Sequence, residues 1–269
     1  MALDPDKLHS ILSNFVSSAD DCAAAAAQIA AFAGTAEIPG AAVDLDRAVR
    51  CGFPEVVFAE GKPAALVVEI FRSQHAAGQR CFATRVNTDH VAAVRAAFPD
   101  VQHNATARTL LLPESVPPTS PSVAETQVCV ITAGSCDAAV AAEAVETLKW
   151  MNIACRLIED VGVAGPQRLL KHVPLLRRMR AIVCVAGMEA ALPSVVGGHV
   201  PCPVIGVPTS VGYGASFGGI TAMLSMLTCC ASNVVTVNID AGFRGGYVAG
   251  LIARGASLPE PEPNEHSDG

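Results

Sequence analysis

From Gln127 onward, short and almost wholly apolar runs alternate with longer mixed stretches. The runs are VCVIT, IACRLIE, AIVCVAG, PVIGV and VVTVNI, each bounded by glycine, proline or acidic residues. They lack the in–out alternation of a strand wetted on one face, so they predict strands of a parallel sheet covered on both sides. Between them, Asp137 is placed to cap a helix from Ala138 to Trp150, and a second helix is expected from Pro166 to Arg178, with proline at its start and basic residues at its end. Earlier in the chain the pattern is less regular. It predicts a short helix carrying Arg47 and Arg50, a strand at EVVF, a helix from Pro63 to about Ala77, a strand at RCFATR, a helix from Thr88 to Phe98 and an extended ARTLLL segment. That is a small βαβ-like unit. Two helices are expected within residues 4–33, the second containing the alanine run 23–27.

Proline and small polar residues divide the chain. PESVPPTSPSVAET abolishes all periodicity and reads as a linker. The expected organisation is an N-terminal helical plus small α/β domain over 1–112, a linker over 113–126, a doubly wound three-layer α/β domain over 127–254, and a disordered acidic tail over 255–269.

Composition narrows the function classes. Hydrophobic residues make up 51% of the 269, charged residues 16% and aromatic residues 4%, so the cores are aliphatic. A net charge of -7 excludes general nucleic-acid binding, which requires clustered Lys and Arg. No apolar run approaches the ~20 residues that span a bilayer. The ten cysteines form no CxxC pair, which argues against structural zinc, and no secretory leader is evident, so the expected location is a reducing cytoplasm.

In a doubly wound sheet, ligands bind beyond the carboxyl ends of the strands. The loops there are GSCD, DVGVAG, AGMEA, PTSVGYGASFGG and NIDAGFRGGY, all rich in glycine or small polar residues, which points to one shared pocket. The stretch 186–219 is the expected binding floor, because glycine admits close approach of a ligand to the backbone. Glu189 stands there as a lone carboxylate, readable either as a general base or as a charge at a helix N-terminus. In the first unit the turn AEGKP puts Glu60 and Lys62 at a strand-to-helix junction.

The strings TAGSCD, DVGVAGPQRLL, VAGMEAALPSVVGG, CPVIGVPTSVGYGASFGG and MLTCCASNVVTVNIDAGF, with LDRAVRCGFPEVVFAEGK earlier, resemble the LarB carboxylase/hydrolase family. The C-terminal half of that family is similar to the purine carboxylase PurE. The resemblance covers about Asp44 to Arg254. It implies a PurE-like, flavodoxin- or Rossmann-like sheet and a reaction on nicotinic acid adenine dinucleotide with CO2 or bicarbonate, yielding pyridinium-3,5-biscarboxylic acid mononucleotide and AMP. It further implies Mg2+ or another divalent cation held mainly by substrate phosphates, no organic prosthetic group, and a homo-octamer.

By the same resemblance, Cys230 is the nucleophile that adds to the pyridinium ring, with Cys229 as the competing assignment, and Glu189 is the base. Gly134, Ser135 and Asp137 match the first-strand turn of the PurE-like fold. Asp160, Gly187, Ser210, Tyr213, Gly214, Ser216, Asn238, Asp240 and Lys62 complete the expected substrate-binding set, and Arg168 flanks it. Two rivals stand beside this reading. A PurE-type aminoimidazole ribonucleotide carboxylase or mutase needs no cysteine and typically carries Ala-His-Arg-Thr-Pro after the second strand, where this chain has DVGVAGPQRL. A catalytically silent nucleotide-binding protein would keep the fold alone.

Overall fold

A computed structural model describes residues 34–112 and 126–255, together with His9. The helices expected before residue 34, most of the expected linker and the acidic tail lie outside the described residues. The chain divides into two compact units, Met1–Pro118 and Thr119–Gly269. No helix among the described residues is long and apolar enough to cross a membrane.

The first unit opens with a hairpin, β1 (Thr35–Ile38) paired antiparallel with β2 (Ala41–Asp44), which the sequence reading missed. A short helix α1 (Arg47–Cys51) follows. Then β3 (Val57–Phe58), α2 (Ala64–Ala76) and β4 (Cys81–Thr84) form the expected βαβ unit, with β3 and β4 parallel. Helix α3 (Thr88–Ala97) starts at Asn87, whose side chain accepts from the His90 N–H at 3.0 Å. Antiparallel β5 (Gln102–Asn104) and β6 (Thr109–Leu112) complete a sheet of order β3-β4-β6-β5. Its core gathers Val67, Phe71, Cys81, Ala83, Val94 and Leu110.

The second unit is a five-stranded, all-parallel sheet of order β11-β10-β9-β7-β8. Its strands are β7 (Val128–Thr132), β8 (Cys155–Ile158), β9 (Ala181–Ala186), β10 (Val204–Pro208) and β11 (Val234–Thr236). Every residue of β7, β9 and β10 is buried, which is why their apolar runs are unbroken. Alternate residues serve opposite faces. Cys129, Ile131, Ile182 and Cys184 pack with Leu169, Leu176, Leu192 and Met226, whereas Val128, Val130, Val183 and Val207 pack with Ala141, Leu148 and Ala249.

The second of those faces is covered by α4 (Ala138–Trp150) and α9 (Gly242–Gly255). These helices approach closely because Gly242, Gly246 and Gly250 recur every four residues along α9. A Cβ at Gly246 would lie 2.6 Å from the Ala144 carbonyl oxygen. The other face carries α5 (Gln167–Leu170), α6 (Val173–Leu176), α7 (Leu192–Gly197) and α8 (Ile220–Leu227). Here the structure corrects the sequence reading. The single helix expected from Pro166 to Arg178 is two short helices, because Pro174 has no N–H to continue the ladder and its ring clashes with the carbonyl one turn back. The fifth strand is also shorter than VVTVNI, ending at Thr236.

Candidate active site

Strand β7 lies between β8 and β9, so the chain reverses its direction of winding between β7 and β9. A crevice opens outside the carboxyl ends at such a point. A cavity of about 440 Å³ lies there, lined by Gly134 to Asp137 after β7, by Asp160, Gly162 and Arg168 after β8, by Gly187 to Leu192 after β9, and by Val211. Its size suits a small ligand or half of a dinucleotide.

Asp137 anchors the first wall. It is almost fully buried, and its carboxylate accepts from the Gly134 N–H at 2.9 Å and from the Thr209 hydroxyl at 2.8 Å. It makes no side-chain cap on α4, contrary to the sequence expectation. Its bonds instead tie the β7 loop to the residue following β10. Burial raises the Asp137 pKa above the usual carboxylate range, the Thr209 and Gly134 hydrogen bonds work against that shift, and the charge of Asp240 adds to it. Ser135 and Cys136 are exposed beside it on the cavity wall.

The second wall holds an ion pair. Asp160 and Arg168 lie 2.7 Å apart, both partly exposed, with Asp160 in left-handed backbone at φ 55°. Arg168 is the cation on the wall of the cavity, a donor for phosphate or carboxylate once Asp160 yields.

Glu189 stands on the third wall, exposed, between Met188 at φ 54° and Ala190 at φ 51°. Two consecutive-but-one left-handed residues without glycine are a strained arrangement, of a kind concentrated at functional sites. Helix α7 begins only at Leu192, with Ala191 in the capping position and no side-chain cap, so Glu189 does not cap it. Gly187 is fixed by crowding: a Cβ there would lie 2.6 Å from the Thr209 hydroxyl oxygen and would strike the Val211 carbonyl oxygen. Met188 N–H in turn donates to that carbonyl at 3.0 Å.

The remaining expected residues fall elsewhere. The segment PTSVGYGASFGG contributes Val211 to the cavity wall, and the rest of it does not line this cavity as the floor its composition predicts. Tyr213 is 80% exposed, Gly214 is open to solvent, and Ser216 is buried beneath Gly212. Ser210 N–H donates to Asp240 at 2.8 Å, while the Asn238 side chain accepts from Ile239 N–H. Asp240 thus serves the rim through its bond to Ser210 and its charge on Asp137. Lys62 belongs to the first unit.

Cys230 is exposed, past the end of α8 and before β11. The next residue, Ala231, lies against Gly197 at the far end of α7 from Glu189. A six-residue helix rises about 9 Å, so the Cys230 segment and Glu189 lie toward opposite ends of α7. Cys229 is half-buried, its thiol 3.8 Å from the Ala231 carbonyl oxygen. Cys136, which sequence reasoning overlooked, is a thiol on the cavity wall itself. Its position between two recognised pocket residues was the available signal. Burial pushes Cys129 up to about 12 and Cys184 well above the ordinary range, so neither is a thiolate at neutral pH.

No group of three or more His, Cys, Asp or Glu side chains among the described residues could hold a metal ion. With Asp137 doubly bonded and Asp160 paired to Arg168, the donor set does not fit a resident divalent cation.

Comparison with known proteins agrees with this division of the chain. Residues 35–114 match the LarB/PurE-like N-terminal domain and residues 127–258 match AIR carboxylase. MJ0165 of Methanocaldococcus jannaschii, itself described only as uncharacterized, is 37% identical over 223 residues, covering 79% of this chain and 83% of its own length. A crystal structure of a Treponema denticola PurE2 variant aligns over 46% of this chain and 76% of its own, at 20% identity and a TM-score of 0.39. With the N-terminal domain model followed directly by the PurE-like one, and a relative of this similarity, the chain belongs to the LarB family, a carboxylase-type enzyme whose second unit is PurE-like.

Proposed function

We propose that the protein carboxylates the pyridinium ring of nicotinic acid adenine dinucleotide at C5 and hydrolyses its phosphoanhydride, producing pyridinium-3,5-biscarboxylic acid mononucleotide and AMP. The observation that carries this reading is Glu189, a solvent-accessible carboxylate held on the cavity wall between two strained residues.

The chemistry requires a nucleophile and a base. A pyridinium carbon is electrophilic, so C5 attacks CO2 only after a thiolate adds at C6 and the ring electron pair moves onto nitrogen. The resulting enamine-like C5 forms the new C–C bond. Glu189 then removes the C5 proton, the ring regains aromaticity, and the C6–S bond breaks to return the thiolate. Water cleaves the phosphoanhydride to release AMP. Arg168 is suited to hold a phosphate or carboxylate of the substrate, and Ser135 to donate to it. Any Mg2+ enters with the substrate phosphates, and no step depends on it here.

Cys230 is the nucleophile in this scheme, and the place of its segment toward the opposite end of α7 favours delivery by a second copy of the chain. Phe217, Ile220, Leu224 and Leu227 form an exposed apolar strip leading to the Cys229–Cys230 segment, which suits a buried contact between copies in a homo-oligomer. The match of residues 127–258 to AIR carboxylase keeps a second reading, carboxylation or carboxyl migration on aminoimidazole ribonucleotide. That substrate already has an enamine-like carbon and uses no thiol.

The test is mass spectrometry of the protein incubated with nicotinic acid adenine dinucleotide, Mg2+ and 13C-bicarbonate, beside Cys230→Ala and Glu189→Gln. The expected result is labelled dicarboxylate mononucleotide and AMP from the wild type and from neither variant. Turnover of aminoimidazole ribonucleotide, undiminished in Cys230→Ala, would establish the purine reading instead.

A further inference from the structure

We infer that Thr209 is a positioning residue for the base: its hydroxyl, bonded to Asp137, braces the strained turn that carries Glu189 against the loop that follows β7. The inference rests on the assignment of Glu189 as the base, and it names a residue that is itself fully buried and does not line the cavity.

Glu189 is exposed, between residues at φ 54° and φ 51°, so the direction of its carboxylate is set by the backbone of that turn. The turn is built against one short segment. Strands β9 and β10 pair in parallel as far as Ala186 beside Pro208, and the contact continues past the end of both. Thr209 N–H donates to the Ala186 carbonyl at 3.0 Å, and Met188 N–H donates to the Val211 carbonyl at 3.0 Å. Within the turn, Ala190 N–H donates back to the Gly187 carbonyl at 2.9 Å. Residues 209–211 are thus the rail that supports 186–190.

The rail is fixed by two carboxylates. Asp240 accepts from the Ser210 N–H at 2.8 Å and returns its own N–H to the Pro208 carbonyl at 2.8 Å. Asp137 accepts from the Thr209 hydroxyl at 2.8 Å through one oxygen and from the Gly134 N–H at 2.9 Å through the other. On the side of the turn, a Cβ at Gly187 would lie 2.6 Å from the same hydroxyl oxygen, so the Gly187 backbone rests directly on it. One atom is both the donor to Asp137 and the surface on which the turn sits.

A methyl group in its place is larger and cannot donate. It would push on Gly187, and the Asp137 carboxylate, left with a single N–H, would turn toward water and draw the 134–137 loop with it. Both displacements reach the turn that aims Glu189. A general base works within about 2.6–3.2 Å of the atom whose proton it takes, and a misplacement of about 1 Å costs roughly a hundredfold in rate. A second buried hydroxyl gives the contrast. Thr132, at the end of β7, accepts from the Asp160 N–H at 3.0 Å, which ties the second wall to the first and leaves the Glu189 turn alone.

The experiment compares wild type, Thr209→Val, Thr209→Ser and Thr132→Val, with rates expressed per folded molecule below the melting range of each. Thr209→Val is expected to lower kcat about tenfold to a hundredfold while KM for the dinucleotide stays within about twofold. The slowed step is proton removal, so the ratio of kcat for unlabelled over C5-deuterated substrate should be no smaller than in the wild type. Thr209→Ser, which restores the hydroxyl, should recover most of kcat. Hydrogen–deuterium exchange without substrate should quicken in 187–191 more than in 181–185 for Thr209→Val, and not for Thr209→Ser or Thr132→Val. An unchanged kcat in Thr209→Val, a Ser variant as slow as the Val variant, or exchange that quickens equally in the two segments would overturn the role of the hydroxyl. If the wild type turns over no dinucleotide, the assigned reaction fails, and the exchange comparison alone decides whether Thr209 braces the turn.

Discussion

Thr209→Val removes one hydroxyl from the wall between two loops and leaves the shape of the side chain almost intact. What it withdraws is the 2.8 Å hydrogen bond to Asp137, a carboxylate that is only 3% exposed and retains just the Gly134 N–H as its other partner. A hydrogen bond to a charged, buried acceptor is worth about 1.5–3 kcal/mol, so the expected loss near pH 7 is about 2 kcal/mol, or roughly 4–8 °C in Tm for a chain of this size. The pH dependence follows from the direction of the Asp137 shift. Burial already raises its pKa in the folded state, so the neutral form is favoured there, and the associated stability is present at low pH and lost as pH rises through the folded pKa. Without Thr209 the folded pKa moves further up, and the loss on ionisation grows. The penalty of Thr209→Val is therefore larger at pH 7 than at pH 4, where a greater share of Asp137 is neutral and a neutral hydrogen bond is worth about 1 kcal/mol. Urea unfolding at both pH values measures it, and the same substitution in an Asp137→Asn background removes the charge-dependent part. Equal losses at the two pH values, or a loss below about 0.5 kcal/mol at pH 7, would refute the assignment of the bond to a charged Asp137.

Other consequences are as direct. Arg168→Ala is expected to raise KM for the proposed dinucleotide substrate about tenfold or more with a smaller change in kcat, since it removes a donor to an anionic group at the cavity wall. If the proposed contact between copies forms through α8, Leu224→Asp on its exposed face is expected to lower the mass seen in analytical ultracentrifugation and to abolish carboxylation with Glu189 intact. Iodoacetamide should label Cys51, Cys136 and Cys230 before Cys81, Cys129 and Cys184 as followed by mass spectrometry, and a ligand filling the cavity should protect Cys136. Gly246→Val should destabilise the second unit by about 1–3 kcal/mol in urea unfolding, because a side chain there meets the Ala144 carbonyl.

What the sequence disclosed follows the strength of its signals. The strands β7, β9 and β10 were legible because each is buried along its whole length and so reads as a continuous apolar run. The hairpin β1–β2 was not, since its four-residue strands are mostly half-exposed and carry little pattern. Asp137 was legible as important but misplaced in role. Its position before α4 signals a cap, whereas its decisive partner, Thr209, is 72 residues away. The glycine-rich stretch after β10 advertised close backbone approach, and it has that, with Gly219 packed onto the Thr209 carbonyl. Composition could not say which side of the loop faces the cavity. Nor could it place Cys230, whose distance from Glu189 depends on the direction in which α7 runs.

The glycine seam between α4 and α9 has a mechanical consequence. With backbone set against backbone at Gly242 and Gly246, Glu143 accepting the Phe243 N–H at 3.1 Å, and Trp150 stacked on Tyr247, the two helices are interlocked along their contact. That side of the sheet behaves as a stiff plate. Any breathing that admits or releases a ligand falls to the opposite layer, where α5 and α6 are single turns broken by Pro174 and the approach to α8 passes through left-handed Phe217 and Gly218.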